Sequence, residues 1–481
     1  MQVEANLVDG QWVESESGET FEVRNPADTT DVVAECQRST RADADRAVSA
    51  AAAASEEWAA TPAPERGAVL ARTSELLADR TEELTALLTR EEGKTHAEAA
   101  PEVQRAVDIF AYYGETARDV GGTVKAASSV DSTLSTRREP LGVAGLITPW
   151  NYPIAIPAWK IAPALATGNT VVFKPAMEAP LVGKELVACL DEAGAPAGVV
   201  NFLTGDGDVG DAVVSHDEVD AVSFTGSVEV GTAVYRKATR NGKRAQSEMG
   251  GKNPTVVTDS ADVDEAVEVV GASAFGVTGQ ACTACSRAIV TESVRDEFLD
   301  GIVGYAESLT IGDGSEGVDM GPQVSQSERD GTLEYVDVAT DEGATLETGG
   351  GIPSGPGHDD GYFVEPTVFS DVTPEMRIAQ EEVFGPVLAV VEVPDFETAL
   401  DVANGVEYGL SASVVTEDLG EAHRFVEQVE AGVAKVNEKT TGLDLHVPFG
   451  GYKRSSTDTY REQGDAAIDF YTTTKTVYMN Y

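Results

Sequence analysis

Leu141-Gly-Val-Ala-Gly-Leu-Ile-Thr-Pro-Trp-Asn-Tyr-Pro153 opens the part of the chain where short apolar runs begin to alternate with helical patterns. Val143–Thr148 is the first such run, and Thr170–Phe173, Val199–Thr204 and Ala221–Phe224 follow it. Each is short and apolar on both faces, which reads as a strand buried on both sides. The stretches between them, such as Pro180–Ala193 and Val209–Ser215, read as helices. This alternation predicts an α/β domain, a parallel sheet with helices on both faces. A second alternating block runs from Thr255 to about Asn437 and includes Arg287–Thr291 and Val387–Val393, so two α/β domains joined near Gly250–Pro254 are expected. Leu70, Leu76, Leu77, Leu84, Leu87 and Leu88 recur at helical spacing, and the first hundred or so residues read as mostly helical. The Ala-rich run Ala50–Ala54 reads as part of a surface helix. Lys125–Glu139 and Phe470–Tyr481 are rich in Ser, Thr, Tyr and Val and read as edge strands that need a partner, such as another subunit.

The 481 residues carry 34 Lys and Arg against 82 Asp and Glu, a formal net charge of −48. Such a chain repels phosphate backbones and anionic membrane surfaces, so neither nucleic acid nor membrane is expected as a partner. A 42 % hydrophobic content with four Trp argues against disorder and leaves a solvated acidic coat. Twelve Lys among many Asp and Glu suit a salt-rich cytoplasm, where charge is heavily screened. Met1–Gly10 has no basic or apolar run, and no stretch of about 18 apolar residues occurs, which predicts neither a signal peptide nor a membrane span. Cys36, Cys189, Cys282 and Cys285 make no disulfide framework. A cytoplasmic location is the expectation.

Gly205-Asp-Gly207-Asp-Val-Gly210 fits the G-x-G-x-x-G phosphate turn in form. Asp206 and Asp208 place negative charge where a pyrophosphate would lie, and the turn comes fourth in the strand series. Phe224-Thr-Gly226-Ser227, with Gly231 beyond it, is the better phosphate candidate, because a strand end there opens a helix. Cys282-x-x-Cys285 has metal-pair spacing, yet five His and two distant Cys leave no obvious further ligands, and no metal is expected. A single nucleophile, Cys282 in Gly279-Gln-Ala-Cys282, is the more productive reading. Glu248 in a glycine-rich bend and Asn151 directly after a strand supply a carboxylate base and an amide donor, the other parts of an acyl-transfer site.

Six motifs in order, Thr148–Pro153, Phe173–Pro175, Phe224–Ser227, Glu248–Pro254, Gly279–Cys282 and Glu381–Pro386, resemble the aldehyde dehydrogenase superfamily; Pro448–Gly451 extends the likeness over essentially the whole chain. The resemblance implies a doubly wound dinucleotide-binding domain (1–121 and 140–250), a catalytic domain (251–450) and oligomerisation strands (122–139 and 465–481). It implies Cys282 as nucleophile, Asn151 with the Cys282 N–H as oxyanion donors, and Glu248 as general base. Lys160 and Glu462 align with a proton relay. Lys174 aligns with the lysine at the adenosine ribose, Glu382 with the carboxylate at the nicotinamide ribose, and Phe384 with the residue positioning that end. Trp150 and Ser227 line the cofactor's path. Met177 stands where many NAD-preferring relatives carry Glu, which favours NADP while leaving NAD open. Cys285 has no role in this scheme beyond packing.

Phe275–Thr283, His446–Gly451, Arg461–Gly464 and Phe470–Thr474 resemble one branch in particular, the 2,5-dioxopentanoate (α-ketoglutarate semialdehyde) dehydrogenases. The substrate implied is a small aldehyde, with succinate semialdehyde or a general aliphatic aldehyde as the alternative. A homodimer or homotetramer is implied as well. A non-catalytic protein of the same fold is the reading from another class.

Overall fold

The computed structural model describes residues 3–355 and 357–481, and two seven-stranded sheets organise them. The first contains β1 (Asn6–Val8), β2 (Gln11–Val13), β3 (Val143–Ile147), β4 (Thr170–Lys174), β5 (Val200–Phe202), β6 (Ala221–Thr225) and β7 (Arg244–Glu248). Its spatial order is β7-β6-β3-β4-β5-β1-β2. The strands β3 to β7 are parallel, and the hairpin β1–β2 extends the sheet antiparallel. The apolar runs of the sequence are therefore strands, and Val171, Val172 and Phe173 are fully buried in the middle one. The chain winds outward from β3 to β5, then returns to place β6 on the other side of β3. A sheet that reverses its winding leaves a crevice at the carboxyl ends of the two diverging strands.

The second sheet contains β8 (Asn253–Val257), β9 (Cys285–Thr291), β10 (Thr345–Thr348), β11 (Thr367–Ser370), β12 (Val387–Val393), β13 (Ser411–Val415) and β14 (Val433–Val436), in the order β10-β11-β12-β9-β8-β13-β14. All but β10 are parallel. Only the short link 249–252 separates β7 from β8, so the carboxyl edge of the first sheet meets the amino edge of the second.

The N-terminal region departs from its helical reading. Val3–Glu4, Thr20–Asn25 and Asp28–Gln37 form a separate three-stranded sheet, and helices begin only at Arg41. The helix Arg41–Ala60 is not a surface helix on its alanine side: Ala44, Ala47, Val48 and Ala51 are fully buried. Small side chains let it lie close to the sheet, where the Thr170 hydroxyl donates to the Ala51 carbonyl at 2.9 Å.

The two expected edge strands are each other's partner. Ser132–Pro140 pairs antiparallel with Thr472–Asn480, and Val124–Lys125 lines its other side. Phe470 and Tyr471 instead close the preceding helix, Gly464–Tyr471. Thr472–Asn480 keeps one free edge, with Tyr478 and Met479 exposed. Among the described residues, no helix is long and apolar enough to cross a membrane.

Candidate active site

Cys282 sits on a loop held in an unfavourable backbone shape. Val277 and Thr278, consecutive β-branched residues, adopt φ of 52° and 56°, a left-handed conformation costing on the order of 1–3 kcal/mol per residue. Tertiary bonds hold the loop in that shape. The Val277 N–H donates to Glu98 Oε1 at 2.5 Å, the Thr278 hydroxyl to the Gly321 carbonyl at 3.0 Å, and the Val324 N–H to Gln280 Oε1 at 2.9 Å. Gly279 follows at φ 69°, where a Cβ would stand 2.1 Å from the Gly385 carbonyl oxygen, so only glycine fits. Asn253 Nδ2 donates to the carbonyls of Cys282 and Ala284, each at 2.8 Å. The Cys282 thiol is thereby left half-buried, whereas Cys285, at the start of β9, is buried with its Sγ 3.5 Å from the Arg287 carbonyl oxygen. Cys285 packs and does not face the cleft lining.

Asn151 follows β3 and is buried, and its Nδ2 donates to the Gln280 carbonyl at 2.8 Å, two residues before Cys282. Its own carbonyl accepts from Lys94 Nζ at 2.7 Å. Lys94 is fully buried, 2.6 Å from Glu102 and 3.8 Å from Glu92. The other Glu102 oxygen accepts the N–H groups of Ile154 (3.1 Å) and Ala155 (3.2 Å), at the start of the helix Ala155–Ala166. Lys94 and Glu102 thus clamp both ends of the turn that carries Asn151. Sequence reasoning missed them, because a lysine just after the helix-ending Gly93 looks like an ordinary helix terminus.

Burial pushes the Cys282 thiol up to about 12, and the carboxylates of Glu382, Glu248 and Glu462 add to the effect. Glu248, which ends β7, accepts the Gly451 N–H at 2.9 Å and the Ser456 hydroxyl at 2.8 Å. Burial, with Glu462 nearby, holds it well above the usual carboxylate range. Lys160 and Glu462 form a buried ion pair. Around it, Lys160 Nζ donates to the Ser223 hydroxyl at 2.7 Å and Trp159 Nε1 to Glu462 at 2.8 Å. The pair bonds to Ser223, Trp159 and Gln246, while Glu248 bonds instead to the 451–456 segment.

A cleft of about 210 Å³ opens where β3 and β6 diverge. Trp150, Gly226, Ser227, Gly250, Glu382 and Phe384 line it together with Asn151 and Cys282. Ser227 caps the helix Val228–Arg240, whose first-turn N–H groups make an anion site. Glu382 accepts the Gly251 N–H at 2.9 Å, and burial lifts it to about 7. A Cβ on Gly250 would stand 1.8 Å from the Glu382 carboxylate, so the glycine makes room for that carboxylate. Phe384, at φ 59°, meets the Trp150 ring edge-on at 5.5 Å. Gly231 lies a turn into the helix, where a Cβ would stand 2.7 Å from the Met249 sulfur; it packs beneath the cleft.

A second cavity of about 270 Å³ lies further along the same sheet edge, lined by Lys174, Gly207, Gly210, Phe224, Val230 and Lys237. Burial lowers Lys174 to about 8, and no carboxylate among the described residues lies within ion-pair distance of it. Gly207 and Gly210 are therefore wall residues here, while Asp206 caps its own helix and pairs with Arg38 at 3.3 Å. Met177 is half-buried and Glu178 exposed in the segment after β4. Both cavities border the helix that Ser227 caps, through Gly226 and Ser227 on one side and Val230 and Lys237 on the other, and a helix N-terminus suits a phosphate group.

A thiol, an amide donor and this two-cavity cleft, set between two α/β sheets, define a class. The chain belongs to the aldehyde dehydrogenase family, whose model matches residues 12–477. It is 61 % identical over 477 residues to the α-ketoglutarate semialdehyde dehydrogenase of the halophile Haloferax volcanii, covering 99 % of each chain. It is 44 % identical to the 2,5-dioxopentanoate dehydrogenase of Saccharolobus solfataricus, covering 97 % of this chain and 98 % of that one. The crystal structure of Staphylococcus aureus betaine aldehyde dehydrogenase in complex with NAD+ superposes with a TM-score of 0.96 at 35 % identity, covering 99 % of this chain and 94 % of that one.

Proposed function

We propose that this protein is an NAD(P)-dependent dehydrogenase that oxidises 2,5-dioxopentanoate to 2-oxoglutarate in the breakdown of pentoses or sugar acids. The observation that carries this reading is that Cys282 and Asn151 line the same cleft as Glu382 and Phe384. Cys282, once deprotonated, attacks the aldehyde carbon to give a thiohemiacetal. Asn151 Nδ2 and the Cys282 N–H hold the oxyanion, and loss of one such donor costs on the order of 10²–10³ in rate. Trp150, Ser227, Glu382 and Phe384 would hold a nicotinamide dinucleotide in the cleft, and that group would supply the hydride acceptor. Glu248, whose proton affinity burial and Glu462 raise above that of an ordinary carboxylate, activates the water that hydrolyses the thioester. The Lys160–Glu462 pair carries its proton away.

The fit to the cofactor supports Lys174 at the adenosine ribose, Ser227 and Gly226 at the pyrophosphate, and Glu382 at the nicotinamide ribose. Met177 in place of a carboxylate, with Lys174 free of an ion pair, favours NADP over NAD. The free edge of Thr472–Asn480 supports a homodimer or homotetramer, and the acidic coat a salt-rich cytoplasm. Purified protein in molar KCl with NADP or NAD should reduce the cofactor faster with 2,5-dioxopentanoate than with succinate semialdehyde or pentanal. Cys282→Ala should abolish turnover and Cys285→Ala retain it; the reverse would overturn the assignment of the nucleophile.

A further inference from the structure

A carboxylated aldehyde must find a local cation in a chain of net charge −48, and the dinucleotide cleft offers Cys282 no cation on its lining. A second, surface groove does carry cations. The helix Val263–Phe275 runs through Gly276–Gly279 into Cys282, and its Glu268–Ala272 face forms one wall of a surface groove of about 630 Å³. The opposite wall is the segment from Lys435 to Asp444. Lys435 and Lys439 stand in this groove, in the company of Glu268, Glu438 and Asp444.

Arg105, on the helix His96–Thr116, borders that groove through Leu443. It donates to the carbonyl of Leu443, a groove residue, and to Gln463 Oε1 at 2.8 Å. Its guanidinium carbon sits 5.9 Å from the Trp159 ring centre. Arg105 is half-buried with Tyr152, Asp444 and Asp108 near it, and Tyr152, next in the chain after Asn151, lies near Cys282. Those two acceptors use two of the five guanidinium N–H groups, and no carboxylate among the described residues lies within 4.0 Å of it. An arginine that stays charged and partly desolvated, with Asp444 and Asp108 nearby but neither within ion-pair distance, keeps N–H groups for a carboxylate from outside.

We propose that Arg105 anchors the distal carboxylate of the substrate, presented from the groove bounded by Leu443 and Asp444, and so selects carboxylated aldehydes over neutral ones. This rests on the reading of the site as an aldehyde dehydrogenase for 2,5-dioxopentanoate. Tyr152 and Trp159 form the walls between the anchor and Cys282, and the remaining N–H groups form a fork that suits a carboxylate.

The test compares kcat/KM for 2,5-dioxopentanoate and for pentanal in the wild type, Arg105→Gln and Arg105→Lys. Loss of a charge-assisted pair predicts that Arg105→Gln lowers the ratio of the two about 10- to 100-fold, through KM rather than kcat. Arg105→Lys should recover part of it. A merely structural Arg105, tethering Leu443 and Gln463, would lower kcat/KM for both aldehydes alike, and an unchanged ratio would overturn the proposal. A wild type with no preference for 2,5-dioxopentanoate over pentanal would instead refute the substrate reading itself.

Discussion

Replacing Lys94 by methionine removes the cation that ties Asn151 to the helical layer. Three contacts are lost: 2.6 Å to Glu102, 2.7 Å to the Asn151 carbonyl and 3.8 Å to Glu92. Glu102 keeps its two backbone donors, Ile154 and Ala155, yet its charge is left buried without a counter-ion. Breaking a buried pair in this way costs about 3–5 kcal/mol. The cost depends on pH. Burial already lifts Glu92 from 4.5 to about 8, with Lys94 holding it down. A carboxyl whose folded value exceeds its unfolded one contributes stability at low pH that is lost as pH rises through the folded value. Without Lys94, Glu92 rises further, so the loss deepens and extends above pH 8. Urea unfolding in molar salt should therefore show Lys94→Met destabilised by about 3–5 kcal/mol near pH 6, with a further loss from Glu92 near pH 9. Its kcat should fall by up to about 10²-fold, because a displaced Asn151 no longer meets the oxyanion. Lys94→Met with Glu102→Gln should restore most of the stability, though not the rate. Unfolding midpoints equal to wild type at pH 9, or a loss that does not vary with pH, would refute the clamp.

Two further outcomes follow from the electrostatics of the site and of the coat. With the Cys282 thiol raised to about 12, iodoacetamide should alkylate the cofactor-free enzyme slowly at pH 8.5; Glu382→Gln removes the largest carboxylate influence and should accelerate it severalfold there. At pH 5.5, below the value of about 7 to which Glu382 is lifted, the variant should match wild type, and an unmoved rate at pH 8.5 would count against the field described for Cys282. Activity should also decline as KCl is reduced from about 1 M to about 0.1 M, where the screening length grows from about 3 Å to about 10 Å and the −48 coat repels both itself and anionic ligands. Full activity without added salt would show the coat to be neutral in effect.

Cys282, Asn151 and Glu248 each stand out in the sequence because a reactive or polar residue interrupts a local pattern, beside a strand end or within a glycine-rich bend, whereas Glu382 is found only through the family resemblance. The structure gathers Asn151, Cys282 and Glu382 around the point where β3 and β6 diverge, and it turns Glu248 toward Gly451 and Ser456. Lys94 and Arg105 have no comparable signature. The Lys94 bond to Asn151 spans 57 residues, and that of Arg105 to Gln463 spans 358. Strands before Arg41 escaped the helical reading because the regular leucines that follow dominate the periodicity of the region.

Sequence alone determined that two α/β sheets of buried, mostly parallel strands follow one another along the chain, since a run buried on both faces records its own environment in its own residues; the order of the strands is a property of the folded chain. Sequence also determined the candidate nucleophile and the acidic coat. Tertiary structure alone decided that the two arm strands pair with each other, that Phe384, Val277 and Thr278 are held in left-handed backbone, and that buried or half-buried cations stand behind Asn151 and beside the groove at Leu443. The physical reason is that apolar burial is a one-residue property, legible by period. A salt bridge, a strained dihedral or an unpaired guanidinium exists only as a relation between segments that the chain brings together on folding.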